Sequence, residues 1–305
     1  MRAEDALERP PGAAESAAEE AWEPAAAKLN LGLRVIGRRA DGFHDIDSLF
    51  VRLDLADRLT LRRAIGPGDV VRRWPAGDRW LDGQALTLGS DNLVARALAA
   101  YRSAAADRGV ALPPLVAELV KRIPWGAGLA GGSADAAATL RAAARWWPAG
   151  VDLMPLAAGL GSDVPFCLAG TAAARVGGRG ERLASVALPP LDLVLVYPGV
   201  EVAAGDAYAW WAAQPVEVPA PDEVALRAGA RAPLHNALEA PVASRVPEVA
   251  AAIAALRALD AGSVAMSGSG STCFLLAADA SAALAAASEL RARHPDWWVR
   301  AVRSG

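Results

Sequence analysis

The chain is short of cysteine, histidine and tyrosine. Its 305 residues include two cysteines, three histidines and three tyrosines. Cys167 and Cys273 each lie in an apolar segment, so a disulfide framework and a Cys-x-x-Cys metal knuckle are excluded and buried thiols are expected. His44, His235 and His294 are too far apart for metal-ligand spacing. No excess of basic charge is present; the net charge is −3, which leaves no broad footprint for nucleic acid. Long hydrophobic runs are missing as well. The longest uncharged stretch, 261–278, is rich in glycine and serine, which argues against a membrane span. Repeats of fixed period are absent. Residues 1–24 hold seven acidic and two basic residues among many alanines, unlike a transit peptide or a secretory signal. A disordered acidic tail over 1–24 and a cytoplasmic protein are expected.

What is present is a glycine-rich centre. Lys121 to Trp147 reads KRIPWGAGLAGGSADAAATLRAAARWW, in which Gly126, Gly128, Gly131 and Gly132 lead into Ser133 and an Ala-rich run. Glycine admits positive φ and close backbone approach. Ser133 suits an N-cap, Asp135 the first helical turn, and Pro148 a stop. A glycine loop feeding a helix N-terminus suits a phosphate, after an apolar strand at 114–120. The spacing is neither that of a P-loop nor that of a dinucleotide fingerprint. A plain structural turn remains the alternative.

Before this centre, Leu29, Leu31, Leu33 and Val35 alternate with Lys28, Asn30, Gly32 and Arg34, the period of a half-buried strand. Lys28 and Asn30 share its non-core face, so a solvated face is the plain reading. Further strands are expected at 44–53 and 58–62, an irregular β region with exposed tryptophans at 72–88, and a helix at 92–108. Asp163 lies in GSDVPFCLAG, two residues before Pro165; it satisfies its own backbone in a turn or presents a carboxylate beside the loop. Past Pro189-Pro190, a strand at 191–197, helices at 206–213, 235–239 and 247–260, strands on either side of Ser267-Gly268-Ser269-Gly270-Ser271, a helix at 282–293 and a strand at 297–302 complete the pattern. The second loop is a flexible hairpin or a partner of the first on one anion.

The segments AAAKLNLGLRVIGRRADGFHDIDSLF, IPWGAGLAGGSADAA, GSDVPFCLAG and MSGSGSTCFLL, in that order, resemble the GHMP kinase superfamily across about residues 25–303. Within it they are most similar to the branch that phosphorylates the 2-hydroxyl of a cytidine-diphosphate-linked methylerythritol on a route to isoprenoids. The resemblance implies an α+β protein of two domains. One, at 25–187, binds ATP and is ribosomal-protein-S5-domain-2-like; the other, at 188–305, is ferredoxin-like; the active site lies between them.

The resemblance also implies ATP and Mg²⁺ as cofactors and Lys28 and Asp163 as the catalytic pair. Pro124 and the loop of Gly126, Ala127, Gly128, Leu129, Ala130, Gly131, Gly132 and Ser133 would bind the triphosphate, with Ser133 a metal ligand. Asn30, Phe43, His44, Tyr208, Gly268, Ser269 and Gly270 would bind the acceptor, with Phe43 and Tyr208 sandwiching cytosine. A homodimer stays open; no nucleic-acid or membrane partner is implied. Other acceptors of the superfamily (homoserine, mevalonate, sugars) and a non-catalytic relative are the alternatives. Ala130 and Ala134 stand for a glycine and a serine of the family loop, Ala204 for a hydroxyl residue and Ala237 for an aspartate. Ala130 is tolerable there if its φ stays negative.

Overall fold

The computed structural model describes residues 20–84, 89–229 and 231–305. Most of the expected tail, 1–19, lies outside the described residues, as do 85–88. Its last part is not a tail: β1 (Glu20–Arg38) begins at Glu20, and pairing runs from Glu20 opposite Arg62 to Arg38 opposite His44. Glu23 explains the misreading. It counts as one more acidic residue in the sequence, yet it is 9% exposed and paired with Arg141 and Arg145.

β1 and β2 (His44–Arg63) form a long antiparallel ribbon, with register shifts at Ala26/Lys28, Asn30/Gly32 and Val35/Gly37. The two strands expected at 44–53 and 58–62 are one, because β2 pairs with β1 on both sides of a register shift at residues 53–55 and continues across it. After β3 (Val70–Trp74) and the single turn α1 (Arg79–Asp82), α2 (Leu93–Ala106) starts on an Asn92 side chain that accepts the Val94 N–H at 2.9 Å. Trp74 and Trp80, expected to be exposed, are half-buried. β4 (Leu115–Val120) runs into the glycine loop and α3 (Gly131–Trp146). α4 (Leu153–Leu160), α5 (Val164–Ala169), β5 (Ala173–Gly178) and β6 (Arg182–Ser185) follow. One edge of β2 pairs along β1; its other edge is shared by β4 and β5, and β3 adds to β4 in parallel.

The remainder comprises β7 (Asp192–Tyr197), α6 (Ala204–Ala213), α7 (Glu223–Ala228), α8 (Glu239–Ala243), α9 (Pro247–Ala258), β8 (Gly262–Met266), β9 (Cys273–Ala277), α10 (Ala280–Arg293) and β10 (Trp298–Arg303). Its sheet order, β10-β7-β9-β8 and antiparallel throughout, is that of a ferredoxin-like βαββαβ unit. The helix expected at 235–239 is not one: Asn236 bridges to Leu33 of β1, and α8 starts only at Glu239.

Packing of the two sheets fixes the cleft. Leu193, Leu195 and Tyr197 of β7 join Leu29, Leu31, Leu49 and Val51 of the ribbon in one apolar cluster. Val194 and Val196 point the other way, onto Val249, Ile253 and Leu290 of α9 and α10. A strand covered on both faces has no polar alternation, which is why this one reads LDLVLVY. In the first half, α2 and α3 cover Leu59, Leu61 and Leu119. Alanines at 134, 136, 137, 138, 142 and 143 let α3 sink nearly all round into that layer. Among the described residues no helix is long and apolar enough to cross a membrane.

Candidate active site

Positive φ recurs at every second residue of the loop between β4 and α3: Gly126 at 65°, Gly128 at 75° and Ala130 at 57°. Such alternation turns successive N–H groups to one side and makes a concavity for an anion, here at the start of a sixteen-residue helix. Ala130 therefore departs from the negative φ expected of it. It is the N-cap of α3, without a side-chain cap bond; Ser133 lies inside the first turn, and Asp135 beyond it is buried. A methyl in the left-handed region costs about 1–2 kcal/mol, offset in part by the greater freedom of glycine when unfolded. Ala130→Gly should accordingly raise the melting temperature by about 1–2 °C. A fall on calorimetry would show that contacts of the methyl outweigh its strain.

The two glycine loops interlock. A Cβ on Gly128 would stand 2.6 Å from the Gly270 carbonyl oxygen and 2.8 Å from that of Ser267. The Ser267 hydroxyl donates to the Gly128 carbonyl at 3.2 Å and accepts the Asn30 N–H at 3.3 Å. Backbone bonds from Lys28 to Leu129 (3.1 Å) and from Thr272 to Ala127 (3.2 Å) fasten the first loop to β1 and to the second loop. Asn236 holds the second loop in turn, donating through its side-chain amide to the carbonyls of Met266 and Gly268 at 2.7 and 2.8 Å.

Lys28 and Asn30 do share a face, but it is not solvated: they are 4% and 3% exposed. Lys28 Nζ lies 3.3 Å from Asp163 Oδ2 and donates to Asn30 Oδ1 at 2.7 Å, with the Phe50 ring centroid 4.7 Å away. Asn30 is oriented at its other end, donating to Ser48 Oγ at 3.0 Å, and the Ser48 hydroxyl donates to the Gly32 carbonyl. Its amide thus positions Lys28. Asp163 heads α5 without capping it, so its carboxylate is turned to the lysine rather than to its own backbone. A Cβ on Gly268 would be 3.6 Å from Lys28 Nζ, which brings the second loop to the pair.

These groups line one cavity of about 980 Å³. Of the sequence-predicted site residues, Pro124, Gly126, Ala127, Gly128, Ala130, Gly131, Gly132, Ser133, Asn30, Phe43, His44, Tyr208, Gly268, Ser269 and Gly270 line it with the lysine and the aspartate. Leu129 does not: its side chain is buried in the core between the sheets, and only its carbonyl serves, on the Lys28 N–H. The expected sandwich of Phe43 and Tyr208 is not formed. Tyr208 stacks on His44, with ring centroids 4.8 Å apart and planes at 15°, and Trp211 meets His44 edge-on. Phe43, the neighbour of His44, diverges from it and lies 5.0 Å from the Arg179 guanidinium. Burial, then the charge of Arg38, pushes the His44 imidazole down from its ordinary value, and its Nε2 is buried without a partner. Burial, then the Asp163 carboxylate, pushes the Tyr208 phenol up.

Sequence reasoning missed Lys121, Arg38, Arg179, Trp125 and Glu201, which also line the cavity. A lysine closing an apolar strand and an arginine directly after Gly177-Gly178 were the available signals. Ala204 adds only a methyl to the wall, where α6 begins. The Ala134 and Ala237 departures are in apolar clusters, outside the cavity lining. Among the described residues no three His, Cys, Asp or Glu side chains are gathered to hold a metal.

Two family models match the chain, "GHMP kinases N terminal domain" over residues 92–171 and "GHMP kinases C terminal" over 218–296. A Deinococcus radiodurans protein named 4-diphosphocytidyl-2-C-methyl-D-erythritol kinase is 46% identical over 92% of this chain and 91% of its own length. A Moorella thermoacetica protein of the same name is 41% identical over 90% and 95%. A crystal structure of 4-(cytidine 5'-diphospho)-2C-methyl-D-erythritol kinase superposes with a TM-score of 0.77 at 38% identity, covering 93% of this chain and all of that one. Homoserine kinase from Cytophaga hutchinsonii, at 0.64 and 19% identity over 95% and 96%, shares the fold.

Proposed function

Since the chain belongs to the GHMP kinase family, we propose that it transfers the γ-phosphoryl group of ATP to the 2-hydroxyl of 4-diphosphocytidyl-2-C-methyl-D-erythritol, in isoprenoid synthesis. It is a small-molecule kinase, and the acceptor and the residue roles are our reading. The observation that carries it is the Lys28–Asp163 pair at 3.3 Å in the cavity that also holds the loop amides and the His44–Tyr208 stack.

The chemistry asks mainly for positioning and charge neutralisation. Loop amides of 126–133 would cradle the triphosphate and hold the γ-phosphorus toward the pair. The Asp163 carboxylate would accept the acceptor's proton, while the Lys28 ammonium, fixed by Asn30 and Phe50, would stabilise the developing alkoxide and the charge in transfer. Ser133, in the first turn of α3 and on the cavity wall, would hold Mg²⁺ together with phosphate oxygens and water, a donor set this hard and strongly hydrated ion accepts. Bound there, the metal would neutralise phosphate charge.

At the other end, Phe43, His44 and Tyr208 would hold cytosine, with Arg38 and Arg179 at the same wall for the diphosphate. The buried, unpartnered His44 Nε2 supports this, because a polar base would satisfy it. The ring of Tyr208 would have to leave His44 to stack on a base opposite Phe43. Residues from β1 to about 187 form the ATP-binding domain in this reading and 188–305 the second. The site draws every group from one chain, so turnover would need no second copy. Two free thiols fit a reducing, cytoplasmic setting.

ADP release from ATP, Mg²⁺ and this acceptor tests the assignment; turnover with homoserine, mevalonate or a plain polyol, and none with the cytidine-linked acceptor, would overturn it. Phe43→Ala and Tyr208→Ala should each raise the acceptor KM by about tenfold, as stacking worth about 1–3 kcal/mol is lost, with kcat and the ATP KM within about threefold. Equal losses for both substrates in steady-state kinetics would refute the division of the cavity.

A further inference from the structure

Asp163 makes no side-chain bond to its own helix, so its carboxylate is held in place by what supports the segment before it. Ser162 stands at the corner between α4 and α5, on the cavity wall, and the turn between β5 and β6 presses on it. A Cβ on Gly180 would collide with the Ser162 carbonyl oxygen and stand 2.8 Å from its carbonyl carbon and 3.0 Å from its Cβ. Gly180 is buried and has a φ of 139°. Conformation and space therefore both demand glycine there. Arg179, its neighbour in the turn, grips the same corner: the guanidinium donates to the Ala158 carbonyl of α4 at 2.9 Å.

The turn is itself well fastened. The Gly180 N–H donates to the Gly177 carbonyl at 3.2 Å, and the Arg179 N–H to the Glu181 carboxylate at 2.8 Å. Behind the turn, β5 is paired along β2, with Val176 opposite Ser48 and Gly178 opposite Ile46. Ser48 is also the residue that accepts from Asn30, whose other end orients Lys28. One stretch of β2 thus holds the lysine through Asn30 and the aspartate through the β5–β6 turn. Groups braced by paired strands are placed more closely than groups on a free loop.

We propose that Gly180 is a positioning residue for phosphoryl transfer: it seats the β5–β6 turn on Ser162 and so sets where the Asp163 carboxylate stands against Lys28 and the acceptor hydroxyl. Arg179 is the second point of attachment. It also reaches the cavity wall beside Phe43, so the group that meets the acceptor's diphosphate and the base that takes its proton are mounted on one corner. Gly180 does not line the cavity and acts on the chemistry only through the corner it supports. The inference rests on the kinase reading above.

Single-turnover phosphoryl transfer in the full chain, with ATP, Mg²⁺ and the cytidine-linked acceptor at saturation, tests it. Gly180→Ala should lower the rate constant by about thirtyfold, as a displacement of a fraction of an ångström at the reacting groups would. The amplitude should stay near one product per chain, and the ATP affinity on calorimetry should stay within about twofold of wild type. In the Asp163→Asn background the same substitution should change the rate constant by less than about threefold, because a residue acting through the carboxylate has nothing left to position. A loss of amplitude at an unchanged rate constant would mean that Gly180 serves folding alone, and overturns the proposal. So does an equal loss with and without the Asp163 carboxylate, or a wild-type rate in Gly180→Ala. If Gly180→Ala does not fold, Arg179→Ala decides by the same two measures: it collides with nothing, should lower the rate constant by about fivefold only while Asp163 is present, and should be largely restored by Arg179→Lys. Each of these failures leaves the kinase reading intact; absence of transfer by the wild type overturns both.

Discussion

Asp163→Asn should lower kcat by about 10³-fold while ATP affinity stays within about threefold, because the carboxylate acts on the acceptor's proton and not on the nucleotide. The substitution keeps shape and removes the charge. Asp163 is partly open to the cavity and makes no cap to α5, so the fold does not depend on it. Lys28→Met should cost about 10²–10³ in kcat, the usual loss when a donor aimed at developing charge is removed. It should also lower stability, since it empties a buried contact with Asn30 and Phe50. The double variant should be little worse than the single ones, because two groups flanking one hydroxyl act as a unit. Single-turnover measurement of phosphoryl transfer decides this. A fall of less than about tenfold for Asp163→Asn would mean that proton removal is left to solvent and the pair only binds.

Gly128→Ala should damage the active site with a single added methyl. Its φ of 75° is left-handed, and the added carbon would stand 2.6 and 2.8 Å from two carbonyl oxygens of the second loop. Neither oxygen ends a flexible side chain, so both loops must move apart. Backbone strain of about 1–2 kcal/mol plus that displacement suggests a loss of about 3 kcal/mol and a melting point lower by about 6–12 °C. The active site should suffer more. Moving the loop by about 1 Å relative to Lys28 should reduce kcat/KM for ATP by about 10²-fold. Unchanged activity would mean that the loops can separate freely and that their contact is incidental to catalysis. Ala130→Gly, two residues on, is expected to change stability in the opposite direction and to spare activity. The pair of variants separates conformational strain from collision.

Glycine was legible because its reason is local. A backbone that must take positive φ at 126, 128, 268 and 270 leaves its mark in the residues themselves. The helix start was less legible: Ser133 was expected as the N-cap of α3, but the left-handed turn at Ala130 takes that place and Ser133 falls inside the first turn. β7 was legible from its unbroken apolar run. Misreadings arose where distance in sequence was large. Glu23 looked like part of an acidic tail because its partners, Arg141 and Arg145, lie more than a hundred residues away. Lys28 and Asn30 looked solvated because period-two spacing says which side chains share a face, not what covers it.

By itself, the sequence determined the two glycine loops and most of the strands and helices, which depend on residue type and near-neighbour spacing that a linear string carries. The resemblance of its motifs to a known family supplied the lysine at 28 and the aspartate at 163 as the pair to look for. Only the tertiary structure decided that Tyr208 lies on His44, that Asn30 orients Lys28, that Gly128 leaves room for the second loop, and that Gly180 stands against Ser162. Each of those depends on elements that meet when the second sheet packs on the β1–β2 ribbon or α5 on the first sheet. The physical reason is that apolar burial is unspecific about partners, while the polar contacts it brings together are set by distances of a few ångströms that no residue pattern encodes.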